Sequence, residues 1–318
     1  MKSNHRAIAS LNRLREVTFF LLCLVAVSSF SDELSIAGTS ISLNSPNGFT
    51  VSSSFSGLEN IHDGSSITIT ELPIDAFDQF NAVFSDLNKA KKGFEKQGIV
   101  IERADTYTVE GQRIPILIGR QPIPNGEIGK YMALFRGDLT VLMTFNVFNS
   151  NVLSPSIVKA TIGSVRLAPA PTLAQKIEQL PFSFSVVTPF HIGNVLGGSG
   201  VLLPTFEGAD PTGFKPAVLV VRALAPVPPE SSIDLVSQQL LRGTQGFETA
   251  KIITKKETTF AGGRAAYLEA ITADRKIVQL VRIPSDGRYI RLVAFGETAQ
   301  LNRVMSAVSE IANSVKIR

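Results

Sequence analysis

The chain has 318 residues, 44% of them hydrophobic and 18% charged, the balance of a packed globular protein and not of a disordered one. That length suits about two domains of roughly 100–200 residues each. The formal charge is +4, but four basic residues and a single acid, Glu16, lie in the first 31 positions, so the remainder is almost neutral and no nucleic-acid footprint is expected.

Lys2, Arg6, Arg13 and Arg15 precede an apolar run of 14 residues, Val17 to Phe30. A membrane span needs about 20 residues. Ser29 and Ser31 are small residues placed just before a cut at Asp32, which is the layout of a secretory signal peptide. Residues 1–31 are read as that signal, with an uncleaved inner-membrane anchor as the alternative. Cys23 is the only cysteine and leaves with the signal. The exported chain then has no thiol catalysis, no cysteine metal site and no disulfide-linked partner. The expected location is periplasmic or secreted.

Further along, Ile67 to Thr70 alternates as a strand. The spacing predicts one helix over 75–96, with Phe77, Phe80, Phe84, Leu87 and Phe94 on one face. Strands follow at 100–109, 113–119, 128–135 and 139–148, joined by hairpin signals at Glu110-Gly111-Gln112 and Gly137-Asp138. Ser154-Pro155 opens a closing helix, serine as cap and proline at the first helical position. Ala168 to Thr172 is a proline-rich connection.

The same order then recurs: a strand at 218–222, a helix from Ser232 to about Leu241, strands at 251–260, 264–271, 277–284 and 289–295, and a last helix carrying Leu301, Val304, Val308, Ile311 and Val315. Thr108-Val-Glu-Gly-Gln-Arg113 matches Thr259-Phe-Ala-Gly-Gly-Arg264 at an offset of 151 residues, Gly137 and Phe145 match Gly287 and Phe295 at 150, and Ser164-Val-Arg-Leu167 matches Ser314-Val-Lys-Ile317 at 150. A period this long is a whole domain. The expected boundaries are 32–168 and 176–318, with a linker over 169–175. Tight turns between consecutive strands require antiparallel pairing. The fold class is therefore α+β: two tandem α/β/α sandwiches, each an antiparallel sheet covered by helices.

The order strand, helix, four-strand meander and terminal helix, with its Gly-x-Arg turn, resembles the PsbP-like superfold, nearest in kind to bacterial envelope members such as DcrB. The resemblance covers each copy separately and implies a non-enzymatic role in binding or supporting other proteins. It transfers no functional residue.

Motifs for chemistry are sparse. His62 and His191 stand apart, and neither belongs to a zinc pattern. Val195-Leu-Gly-Gly-Ser-Gly-Val-Leu202 has neither the lysine of a phosphate loop nor the spacing of a nucleophile elbow, and reads as a hairpin tip. The insertion Pro204 to Phe214 carries Glu207 and Asp210 on a loop suited to recognition. Arg264, Lys276, Arg282, Arg288 and Arg291 decorate the second meander. Alternation places Lys276 and Arg282 on one side of their strand and splits Arg288 from Arg291. Scattered solubilising charge is the plainer reading of the set. Residues 32–170 carry 11 basic and 14 acidic groups, and 171–318 carry 16 and 12, a weak polarity that allows a peripheral membrane contact.

The sequence thus points to an exported binding or accessory protein acting on an envelope protein partner, not an enzyme, with no cofactor, no metal and no nucleic acid. The alternative is a small-ligand or lipid carrier of the periplasm. The candidate interaction surface is Glu207, Asp210, Arg264, Lys276 and Arg282.

Overall fold

The computed structural model describes residues 33–109, 111–123, 126–208, 210 and 215–318. The expected signal segment and Cys23 lie outside the described residues.

The first half runs β1 (Glu33–Ser35), β2 (Ile41–Asn44), β3 (Thr50–Val51), β4 (Gly57–Glu59), β5 (Ser66–Leu72), α1 (Ala76–Phe84), α2 (Leu87–Glu95), β6 (Val100–Val109), β7 (Gln112–Ile123), β8 (Gly126–Arg136), β9 (Thr140–Val147), α3 (Pro155–Gly163) and β10 (Arg166–Leu167). The second runs α4 (Leu173–Glu178), β11 (Phe182–Ser183), β12 (Asn194–Leu196), β13 (Gly200–Pro204), β14 (Ala217–Arg222), α5 (Ile233–Arg242), β15 (Lys251–Phe260), β16 (Gly263–Ile271), β17 (Arg275–Arg282), β18 (Ile290–Glu297), α6 (Thr298–Arg303), α7 (Met305–Ser314) and β19 (Lys316–Ile317). Two seven-stranded antiparallel sheets result, ordered β3-β4-β5-β9-β8-β7-β6 and β12-β13-β14-β18-β17-β16-β15. The topology is the same twice.

Each sheet buries both faces. In the first, Ile67, Ile116, Met143 and Phe145 pack with Val158 and Ile162 of α3, while Leu117, Met132 and Leu134 pack with Phe84, Ala90 and Phe94 of α1 and α2. In the second, Val218, Val220 and Leu292 meet Val308 and Ile311 of α7, and Leu268, Ile277 and Val293 meet Leu241 of α5. This is the α/β/α layering that the alternating strands and striped helices dictate. Removing a side chain the size of Phe84 from water stabilises by about 1.5–3 kcal/mol.

Two expected helices are broken. The phenylalanine stripe spans α1 and α2, because Asp86 is extended (φ −128, ψ 105) and its carboxylate accepts from Asn88 N and Lys89 N. An aspartate that can cap a new helix competes with continuing the old one, and Phe77, Phe80 and Leu87 still join one cluster. The last helix divides at Val304 (φ −109) into α6 and α7. The strand turns are as the sequence requires: Gly111 and Gly262 have φ of +81 and +85, a conformation natural only to glycine.

The registers fix which residues correspond. Thr108 faces Arg113 and Thr259 faces Arg264, and both edge strands carry a bulge at the same place, between Ile101 and Arg103 and between Ile252 and Thr254. Counting across the ladders from Leu117 and Leu268 pairs Met132 with Gln279, Leu142 with Arg291 and Phe145 with Ala294. The expected match of Phe145 with Phe295 is therefore off by one: Phe145 lies on the α3 side and Phe295 on the α5 side. A shift of one residue turns every side chain to the other face. The match of Ser164 with Ser314 is repeated in bonding. Each hydroxyl donates three residues back, to Thr161 O at 2.8 Å and Ile311 O at 2.7 Å. Each also accepts a backbone N–H from the N-terminal segment of its own half, Asn44 at 3.0 Å and Ser185 at 2.8 Å.

Candidate functional site

Most of the polar groups that converge do so where the two halves meet. The turn between β12 and β13 holds Gly197 and Gly198 at φ of +52 and +65, and Ser56 N donates to Gly197 O at 3.1 Å. A Cβ on Gly198 would lie 2.0 Å from Ser56 Oγ. The glycine-rich stretch is thus a hairpin tip, as its sequence suggests, and its second glycine lets one backbone approach another. It cradles the Ser56 backbone of the other half.

Beside it, Arg288 reaches across the seam. Its Nη1 donates to Ser54 Oγ at 2.9 Å and its Nη2 pairs with Glu59, with the two side chains 19% and 12% exposed. Asp286 accepts from Arg288 N at 3.2 Å through Oδ1 and from Arg222 Nη2 at 2.5 Å through Oδ2. Arg222 Nη1 and Arg288 Nε are buried without an acceptor among the described residues. A third tie joins Lys176 Nζ of α4 to Glu71 Oε2 at 3.1 Å, while Glu71 Oε1 accepts from Ser40 N and from Ser40 Oγ at 2.7 Å. Glu71, Lys176, Ser56, Gly197 and Gly198 line a cleft with room for about one water molecule. Glu71, the carboxylate among these lining residues, takes three donors, two on Oε1 and one on Oε2. These groups can hold two domains together.

The five residues expected to form an interaction surface do not converge. Glu207 is exposed, and Asp210 accepts from Lys215 N at 2.9 Å. Arg264, its side chain 74% exposed, pairs with Glu257 at 2.7 Å in a groove beside Ser232 and Asp234 at the start of α5. Lys276 and Arg282 lie on the opposite face. Lys276 bonds Glu269 at 2.5 Å and Asn302 of α6 at 2.9 Å, and Arg282 donates to Ala261 O next to α7. Arg288 and Arg291 are not solubilising charge, since both are committed to interior bonds.

No family model and no curated protein matches the sequence. Solved structures similar to it include LpqN, involved in cell envelope biogenesis of Mycobacterium tuberculosis, at 16% identity and a TM-score of 0.32, covering 47% of this chain and 99% of that one. The cyanobacterial PsbP of Synechocystis sp. PCC 6803 shares 13% identity at a TM-score of 0.28, covering 43% and 93%. The immunity protein TplEi of the Pseudomonas aeruginosa type VI secretion system shares 9% at 0.33, covering 89% and 96%.

Two further features escaped the sequence reading. One is the pair of exposed apolar side chains at the His62-Asp63-Gly64 turn after β4, a segment whose sequence reads as a turn between strands. Asn60 Oδ1 accepts from His62 N at 3.0 Å, Gly64 N donates to Asn60 O at 2.9 Å, and Asp63 Oδ1 accepts from Ser65 N at 2.9 Å. Ile61, inside this tied turn, is 76% exposed, and Phe148, against which Gly64 lies, is 47% exposed. The other is a polar cluster under α5. Arg291 is 8% exposed and Gln279 is fully buried. Arg291 Nε and Nη2 donate to Gln279 Oε1 at 3.0 and 2.6 Å, and Nη2 also donates to Thr244 Oγ1 at 2.9 Å. Gln279 Nε2 donates to Ser237 O at 2.6 Å and to Ser237 Oγ at 2.8 Å. Burial holds the guanidinium well below its usual range, at about 10. The signal was present in the sequence: Gln279 and Arg291 interrupt apolar runs at positions whose alternation points inward. Among the described residues, no helix is long and apolar enough to cross a membrane, and no group of His, Cys, Asp and Glu is placed to hold a metal.

Proposed function

We propose that the protein is an exported accessory factor that works by binding an envelope protein partner, without catalysis. The observation that carries this reading is Ile61. An apolar side chain 76% exposed normally belongs to a mobile loop, where ordering it on contact costs entropy. Here the surrounding turn is already fixed by its own hydrogen bonds, with an aromatic ring beside it. A preorganised apolar tip on a rigid scaffold is the kind of element that contributes binding energy at protein interfaces. The paired charges of the seam support the same reading, because they spend their chemistry on holding two domains in one arrangement.

The test is recovery of partners from envelope extracts with the full chain, at low and moderate salt, against Ile61→Asp and Phe148→Asp. The expected result is a specific protein bound by the parent and lost from both variants, whose melting temperatures stay unchanged. Failure to recover any specific protein, or equal recovery by the variants, overturns the proposal.

A further inference from the structure

The two halves spend the same core layer differently. Across equivalent ladders, Met132 and Leu142 of the first half stand where the second has Gln279 and Arg291. The first pair sits in the apolar cluster under α1 and α2, so the layer can be filled by hydrocarbon. Burying a guanidinium there costs several kcal/mol in desolvation unless an anion or full hydrogen bonding offsets it. The offsets present are all neutral. Gln279 supplies one carbonyl oxygen, Thr244 one hydroxyl, and the end of α5 the partial negative charge of its carbonyls.

The bonds also prescribe how the group is held. Ser237 takes both amide contacts of Gln279, which turns the Gln279 carbonyl toward the arginine. Thr244 Oγ1 donates to Leu240 O at 2.7 Å, so its oxygen is left to accept. Arg291 Nε and Nη2 are locked as a result. Nη1 forms no bond among the described residues and is not wholly buried. Tyr289 precedes it by two residues, the spacing that places both side chains on one side of an extended chain. Among the described residues, no acidic side chain pairs with Arg291.

We propose that Arg291 is a fixed receptor for a carboxylate, which docks on Nη1 beside the Tyr289 phenol. A guanidinium held in a low-dielectric setting with one unused edge binds a carboxylate more strongly than a solvated one does, because its desolvation has already occurred and its orientation is set. The carboxylate comes either from a free small acid or from an acidic side chain of a protein. This site lies on the second half and is independent of the Ile61 turn, so substitution at Ile61 leaves it intact.

The experiment follows the Arg291 Nε–H resonance of the full chain by NMR, assigned by its loss in Arg291→Lys. The probes are sodium acetate and a hexaglutamate peptide, each against sodium chloride at equal ionic strength. Saturable movement of the resonance is expected, and the pair Gln279→Met/Arg291→Leu, which restores the first half's core, should weaken binding of the same probe about tenfold or more by calorimetry. Acetate matching the peptide per carboxylate assigns a free small acid; a tighter peptide assigns an acidic protein segment. An Nε–H resonance unmoved by both probes at tens of millimolar overturns the proposal, as does equal affinity in a folded double variant. Should the double variant not fold, the parent spectrum decides alone.

Discussion

Arg288, from the loop between β17 and β18, forms a largely buried ion pair, 19% and 12% exposed, with Glu59 on β4 of the other half. Taking both charges out of water is expensive, and their value as a pair depends on each having the other. Arg288→Ala therefore strands Glu59 and Glu59→Ala strands Arg288. Each single change should cost about 3–5 kcal/mol. The double change should cost less than the sum, because it leaves no unpaired charge. Urea unfolding of the four proteins checks this, and in the single variants the two halves should unfold in separate transitions.

The close approach of Gly198 to Ser56 has its own test. Gly198→Ala places a methyl 2.0 Å from Ser56 Oγ at a φ of +65, whereas Gly208→Ala meets nothing within 4 Å at a φ of +73. Both pay the penalty of positive φ, about 1 kcal/mol. The excess loss in Gly198→Ala, expected to exceed ~1 kcal/mol, measures the seam alone. Equal losses would mean that the hairpin tip does not hold the halves together.

Ser164 and Ser314 should behave as twins. Each makes the same pair of bonds in its own half, so Ser164→Ala and Ser314→Ala should each cost about 0.5–1.5 kcal/mol. The double variant should be additive, since the sites share no partner. Thermal melts of the three variants decide it.

Alkaline pH should expose Tyr267. Burial, then the charge of Glu269 and its hydrogen bond, push the phenol up from 10.0 to about 12. The folded state therefore holds a proton that the unfolded state releases, so this contribution is full below pH 10 and is lost as pH rises toward about 12. Arg291, held down at about 10, works in the opposite direction over the same range. Tyr267→Phe should thus flatten the alkaline decline, while at pH 7 to 9 it costs only the lost Glu269 hydrogen bond, about 0.5–1.5 kcal/mol. Tyr107 and Tyr289 are also raised by burial and keep part of the decline.

Much of the fold was legible because it rests on local rules. Hairpins needed glycine at Gly111 and Gly262, serine and proline marked the start of α3, and period-two strands against period-three-to-four helices gave the layers. The short strands β3, β4 and β12 carry too few residues for a periodic signal, so the sheets are wider than the sequence indicates. The candidate site was hardly legible at all. Glu59, Glu71, Asp286 and Arg222 look like ordinary surface charges until strands distant in sequence bring each one to its partner.

The sequence by itself determined the doubling, the antiparallel meanders and the faces of most strands, because turn chemistry and side-chain period act over a few residues. Only the tertiary structure decided that Arg288 ties the halves, that Phe145 and Phe295 face opposite ways, and that Arg291 sits where the first half keeps leucine. Ion pairing and burial depend on distances across the fold, and a ladder register displaced by one residue reverses what a side chain meets. Those quantities exist only once the chain has closed on itself.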